Sequence, residues 1–335
     1  MQPGAGGGYS NAGLHGPRPT EYNRRSNSNR DPIMPASMLH RILALALPLV
    51  LTACATATPP EPPEPPRSTR GATDDLGLIA DLALGQAERF GAANVLVVLD
   101  IDNTLLAMEQ DLGSDQWYYW QKDLAAQDPC GADVVSNRFA VQGALFHASA
   151  MRPTQPDAAT QVRRMQDAGL PVIALSSRGS DYRLQTFREL RRNGYSFWAS
   201  ALPPQHGWTE PFMPAGGERP ALYEDGVFLT AGQHKGRMLQ ALLEKTGAAR
   251  PAAIVLADDK QENLDAIWES FADSGSAVHA WRYTREDANV AAFDAAQAAA
   301  QWDSLRPALK HVEDVLGPDN YDLPESPRPP GCEAP

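Results

Sequence analysis

Three apolar runs, each closed by a polar cluster, punctuate the middle of the chain. Residues 95–100 read Val-Leu-Val-Val-Leu-Asp and continue into Ile101-Asp102-Asn103-Thr104. Residues 170–175 read Leu-Pro-Val-Ile-Ala-Leu and end in Ser176-Ser177-Arg178-Gly179. Residues 252–257 read Ala-Ala-Ile-Val-Leu-Ala and end in Asp258-Asp259-Lys260. Apolar runs without polar alternation predict strands buried on both faces, the central strands of a parallel sheet. A fourth strand is expected over 278–283.

Helical spacing fills the gaps. Leu76, Ile79, Leu82 and Phe90 predict a helix over 74–90, with Thr73 and Asp74 at its start. Further helices are expected over 156–169, 181–193, 234–247 and 261–272. Asp225-Gly226 between two short apolar pieces predicts a hairpin. Residues 287–316 read as an Ala-rich helix broken at Pro307. Strands alternating with helices imply an α/β fold, a Rossmann-like parallel sheet with helices on both faces. The folded domain is placed at 71–317. It carries a cap-like insertion at 108–155, a loop-rich one at 195–230, and a Pro-rich tail at 318–335. Within the first insertion, Trp117-Tyr118-Tyr119-Trp120 either lines a substrate pocket or packs a local core.

The N-terminal region has a different character. Residues 1–37 are polar, rich in Gly, Ser and Asn, and read as a disordered leader. Residues 38–53 have a basic start, Met38-Leu39-His40-Arg41, then an apolar run too short to span a bilayer, as in a secretory signal. Translation is therefore expected to begin at Met38 or Met34. Leu51-Thr52-Ala53-Cys54 resembles a bacterial lipobox, which implies a lipidated Cys54 as the first mature residue. Residues 54–70 form a Pro-rich tether of polyproline type. Ala55 after the Cys, by resemblance to Gram-negative lipoproteins, favours an outer-membrane anchor, with the domain in the periplasm or at the cell surface. Cys130 and Cys332 either pair in that oxidising compartment or stay free.

Charge narrows the partners. The net charge is −12, and the acids and bases from Cys54 onward leave about −15. No basic stripe stands out, which argues against nucleic acid. Attachment to a membrane would come from acyl chains rather than from attraction to anionic lipid.

The candidate chemistry lies where the buried strands end, the ligand-binding edge of an open α/β sheet. Asp100 and Asp102, two residues apart on an extended chain, point to one side. Close acids repel unless a cation joins them, and oxygen-only ligands suit Mg²⁺. Phosphoryl transfer needs a nucleophile, cations around the phosphoryl oxygens and a proton relay. Asp100 is the candidate nucleophile, Asp102 the acid and base, and Lys235 the neutralising cation.

Together, Asp100-x-Asp102-x-Thr104, Ser176, Lys235 and Asp258-Asp259, in this order behind their apolar runs, resemble the four motifs of the haloacid dehalogenase-like (HAD) superfamily. The resemblance covers roughly residues 90–285. It is nearest to a secreted bacterial branch and more distant from the lipid-anchored class C acid phosphatases. It implies an aspartyl-phosphate phosphatase with Mg²⁺ on Asp100, the main-chain carbonyl of Asp102 and Asp259, and with Asp258 in support. It also implies a hydrogen bond from Ser176 to the phosphoryl group, with Ser177 competing for that role. Thr104 would orient the turn and Asp102 and help bind substrate. Arg178 either binds substrate phosphate or pairs with Asp181. Asn263 either caps a turn or supports Asp259, and Lys260 and Glu262 are expected in solvent. An acid at position 102 points to phosphoester rather than carbon–halogen chemistry, and a small phosphorylated substrate is expected. Two other readings predict different outcomes. One is a binding or scaffold lipoprotein on the same fold with little catalysis. The other is a Rossmann-like protein outside the superfamily, in which Asp100 and Asp259 do not converge.

Overall fold

The computed structural model describes residues 67–135, 138–317 and 332. In chain order the elements are β1 (Thr69–Thr73), α1 (Leu76–Phe90), β2 (Val95–Leu99), β3 (Leu106–Met108), α2 (Asp115–Gln127), α3 (Arg138–Ala148), β4 (Met151–Pro153), α4 (Ala158–Asp167) and β5 (Val172–Ser176). They continue with α5 (Arg183–Arg192), β6 (Leu222–Glu224), β7 (Val227–Leu229), α6 (Lys235–Thr246), β8 (Ala253–Asp258), α7 (Gln261–Phe271), β9 (Ala277–Tyr283), α8 (Asp287–Ala291) and α9 (Ala295–Leu316).

Seven strands form one sheet in the order β1-β9-β8-β2-β5-β7-β6, parallel except for the β6–β7 hairpin. The apolar runs became its centre for the expected reason. In β2, Val95, Val97 and Leu99 pack on one face with Leu76, Ile79, Val162 and Met165 of α1 and α4. Leu96 and Val98 pack on the other with Leu239, Leu242, Leu264 and Ile267 of α6 and α7. A strand covered on both sides has no position left for a polar residue until it leaves the sheet. Each such Val or Leu contributes roughly 1.5–3 kcal/mol through burial.

Three expectations change. A strand, β1, pairs with β9 at the sheet edge, so the domain begins before residue 71. Its Thr-Arg-Gly-Ala-Thr sequence is half exposed, and an edge strand leaves no periodic apolar signal. The 195–230 segment is not wholly an insertion, because its last part, β7, pairs in parallel with β5 inside the main sheet. Helix α9 runs through Pro307 without the expected break. The 108–155 insertion is built as α2 and α3 standing on a two-stranded antiparallel stalk, β3 with β4.

This cap has its own apolar cluster, in which Trp117 and Val141 of α2 and α3 meet Ala298 and Trp302 of α9. Cys130, in the α2–α3 connection, forms a disulfide with Cys332. The C-terminal helix is therefore part of the cap. The leader 1–37, the signal 38–53, Cys54, most of the tether and the tail apart from Cys332 lie outside the described residues. No helix among the described residues is long and apolar enough to cross a membrane.

Candidate active site

The site forms where β2, β5 and β8 end beside the start of α6. Strands β2 and β8 are direct neighbours in register through Leu99 and Ala257, so the next residues, Asp100 and Asp258, emerge side by side. The Asp100 amide donates to the Ala257 carbonyl at 3.0 Å, holding the strand tip in place. The chain then turns sharply through Asn103, which has φ 57°, and Leu105 and Leu106 donate to the Ile101 carbonyl. Asn is among the few non-glycine residues that tolerate this left-handed conformation.

Lys235, the first residue of α6, points under both acids. Its Nζ donates to Asp100 Oδ1 and to Asp258 Oδ2, each at 2.6 Å, and its side chain is 1% exposed. A buried ammonium is tolerated because two carboxylates surround it, and they hold its pKa above the ordinary lysine value against the opposing effect of burial. The neighbouring Gly236 makes this placement possible. A β-carbon there would collide with the Ala266 carbonyl oxygen and the Ser270 hydroxyl of α7.

The three acids Asp100, Asp258 and Asp259 bring one carboxylate oxygen each to within 4.8 Å of one another. Asp100 and Asp259 converge, as a shared ion site requires. The two halves of the Asp pair differ in their surroundings. Asp258 is saturated: beyond Lys235, its Oδ1 accepts from the Lys260 amide and from Asn263 Nδ2, both at 2.9 Å. Asn263 thus supports Asp258, not Asp259. The Asp259 carboxyl has no hydrogen bond or ion pair among the described residues. Burial, then the charges of Asp100 and Asp258, push its pKa up to about 9. Burial and Asp258 likewise push Asp100 up to about 7, with Lys235 opposing. An acid cluster that holds protons at neutral pH, with one carboxyl unpartnered, fits a divalent cation, and its all-oxygen donors suit Mg²⁺.

Asp102 stands apart from this cluster. Arg178 grips its carboxylate in a bidentate pair, Nε to Oδ2 at 2.9 Å and Nη2 to Oδ1 at 2.7 Å. The guanidinium also donates to Thr186 Oγ1 at 2.9 Å and lies 4.2 Å from the centre of the Phe146 ring of α3. Arg178 is thus committed to Asp102 and does not pair with Asp181 or present a free fork to substrate. Burial pushes the Asp102 carboxyl up, but Arg178, with Lys260 and Lys235 behind it, more than reverses this and holds it below the usual carboxylate range.

The hydroxyl residues are also redistributed. Thr104 is fully buried and its Oγ1 has no hydrogen-bond partner, so it neither binds substrate nor orients Asp102 through that atom. Ser176 is fully buried, with Oγ accepting from the Arg178 amide at 3.2 Å, whereas Ser177 lines the crevice. Lys260 is not in solvent: it pairs with Asp115 of α2 at 2.8 Å and sits 3.7 Å from the centre of the Tyr119 ring. Burial, ahead of the opposing effect of Lys260, pushes the Asp115 carboxyl up.

Above these residues the crevice between sheet and cap has a volume of about 1190 Å³. The aromatic run divides by face. Trp117 packs in the cap's apolar cluster and Trp120 packs against it, while Tyr118 and Tyr119 line the crevice. The run therefore divides between crevice lining and core packing. Asp115, Lys260 and Arg138 carried no sequence signal of their own. Only the neighbouring Asp259 and the aromatic run marked where to look.

A family model described as Protein of unknown function (DUF2608) matches residues 80–313, from within α1 to near the end of α9. The match spans the site, the cap helices α2 and α3, and most of α9. No curated protein matches the chain.

Proposed function

We propose that this chain, which belongs to the DUF2608 family, is a Mg²⁺-dependent phosphomonoester hydrolase working through an aspartyl-phosphate. The observation that carries the reading is the convergence of Asp100, Asp258 and Asp259 on one small volume, with Lys235 bridging the first two. The order of motifs, which resembles that of the HAD superfamily, supports it.

Asp100 and Asp259, with the Asp102 main-chain carbonyl, would hold the ion, and Asp258 would support them. When bound, the ion supplies charge neutralisation between the nucleophile and the phosphoryl oxygens. In the first step an Asp100 carboxylate oxygen forms a bond to phosphorus as the ester oxygen leaves. In the second, water attacks the same phosphorus, inorganic phosphate departs and the Asp100 carboxylate is restored. Lys235 fixes Asp100 and offsets charge on the transferred group. Of the two hydroxyls, Ser177 opens to the crevice and is the better placed to meet a phosphoryl oxygen. Asp102 remains the proton-transfer group, but with Arg178 holding it ionised its stronger role is as base for the attacking water. Arg178 acts through Asp102 and is a positioning residue.

The test is hydrolysis of p-nitrophenyl phosphate and a phosphometabolite panel by the full chain, with Mg²⁺ or with EDTA. Turnover is expected only with the metal, and Asp100→Asn should lower it by at least about 10³-fold, since the covalent step is lost. Equal activity of wild type and Asp100→Asn on every ester would sink the enzyme reading in favour of a binding or scaffold lipoprotein.

A further inference from the structure

The inner crevice accounts for one phosphoryl group, yet most of the 1190 Å³ space lies beyond it, under the cap. Arg138, at the start of α3, lines that outer part. Its guanidinium lies 5.5 Å from the centre of the Tyr118 ring and 5.4 Å from that of Phe139. Its Nε is sealed from solvent and has no hydrogen-bond partner. A buried donor without an acceptor is costly and uncommon in a native structure.

Lys122 of α2 and Arg219, in the segment before β6, also line the crevice. Neither they nor Arg138 form an ion pair among the described residues. The deeper cations are each engaged: Arg178 by Asp102, Lys235 by Asp100 and Asp258, and Lys260 by Asp115. Two exposed acids, Asp181 and Glu262, line the same crevice without meeting the three cations in an ion pair. In a chain of net charge −12, three unpaired cations from three separate segments around one cavity run against the composition. Arg138, beside the adjoining rings of Tyr118 and Phe139, also offers a planar guanidinium to a bidentate partner.

We propose that Arg138, with Lys122 and Arg219, forms a second anion site for the part of the substrate remote from the scissile phosphate. Preferred substrates are then phosphomonoesters that carry another phosphate or a carboxylate. This rests on the reading of the inner crevice as a phosphoester site.

The experiment uses the full chain with Mg²⁺ and pairs turnover with binding. Phenyl phosphate is compared with 4-carboxyphenyl phosphate and with 1,4-phenylene bisphosphate, and the two doubly anionic esters separate carboxylate from phosphate recognition. Calorimetry compares phenylphosphonate with 4-carboxyphenylphosphonate, which do not turn over. A doubly anionic ligand is expected to gain roughly tenfold or more in kcat/KM, mainly through KM, and in affinity. That ratio should fall toward one in Arg138→Gln, survive only in part in Arg138→Lys, which keeps the charge but not the planar fork, and shrink with added NaCl. Arg219→Gln, read in the same way, covers the case in which Arg138→Gln fails to fold. A wild-type ratio below about twofold for both second groups overturns the proposal even if phenyl phosphate is hydrolysed, and so does a ratio that neither variant moves. A calorimetric preference without any turnover supports the second site while the hydrolase reading fails. No phosphonate binding at all overturns both.

Discussion

At the scale of single residues, neighbouring acids have been given different work by their surroundings. Asp258 spends both oxygens on Lys235, Asn263 and a main-chain amide, while Asp259 is left without a partner. Asp259 is therefore open to a proton or a cation. In the metal-free fold, Asp100 and Asp259 keep protons up to about pH 7 and about pH 9, whereas the unfolded chain releases them near pH 4. The native state binds more protons across that window, so metal-free stability falls as pH rises through it. A cation displacing those protons should bind more tightly in the same direction. The melting temperature in Mg²⁺ minus that in EDTA is expected to grow from pH 5 to pH 8.5 and largely to vanish in Asp259→Asn. A shift that is flat with pH would count against the acids as ligands.

Asp102 has the opposite sign. Its pKa is depressed, so the stabilisation from its pair with Arg178 is present above the ordinary carboxylate value and is lost as pH falls through the lowered one. Replacing the guanidinium removes that depression and raises the pH at which Asp102 is available as a base. In Arg178→Gln the acid limb of the kcat/KM profile should move to higher pH. An unmoved limb, with activity merely reduced, would leave Arg178 a packing role only.

At the scale of elements, the cap is held from several sides. Arg188 of α5 donates to the carbonyls of Phe146, His147 and Ser149, closing the C-terminal end of α3. The Tyr182 hydroxyl donates to the Phe139 carbonyl at 2.8 Å near the other end. Helix α2 is fastened to the sheet through Asp115 and Lys260. Helix α9 completes the apolar cluster, and the disulfide ties Cys130 to Cys332 across 202 residues of sequence. Closing so long a loop restricts the unfolded chain, and losing the bond typically costs about 2–5 kcal/mol. Cys130→Ser is expected to lower the melting temperature and to raise hydrogen exchange first in α2 and α9, with the central strands following only on global unfolding. Uniform loss of protection across the sheet would show that the cap does not open as a separate unit.

At the scale of the molecule, the described residues all belong to one compact unit within 62–335. The lipobox-like Leu51-Thr52-Ala53-Cys54 precedes it in the sequence, and what it implies is independent of the candidate site. We propose attachment through acyl chains on Cys54, with the folded domain in the periplasm or at the cell surface. Metabolic labelling with palmitate is expected to mark the full chain and to be lost in Cys54→Ala, which should leave the membrane fraction. Equal labelling of both would remove the anchor.

The sequence by itself determined the three central strands, the polar residues at their ends and, through the order of motifs, Asp100, Asp258, Asp259 and Lys235 as candidate neighbours. A strand covered on both faces needs an unbroken apolar run, and the first polar residues after it can only stand at the sheet's edge, so pattern and position coincide there. The tertiary structure alone decided the division of labour. Arg178 could have faced substrate or Asp181, and it met Asp102 because β2 and β5 are adjacent and in register. Ser177 rather than Ser176 reached the crevice, because successive residues leave a strand on opposite faces. Thr104 was sealed in by the turn that its own segment makes. Edge strand β1, the cap helices and α9 left only weak signals, since half-exposed or mutually packed elements need no long apolar run. Pairings between charges from distant segments follow from where the chain is folded, and no local pattern encodes them.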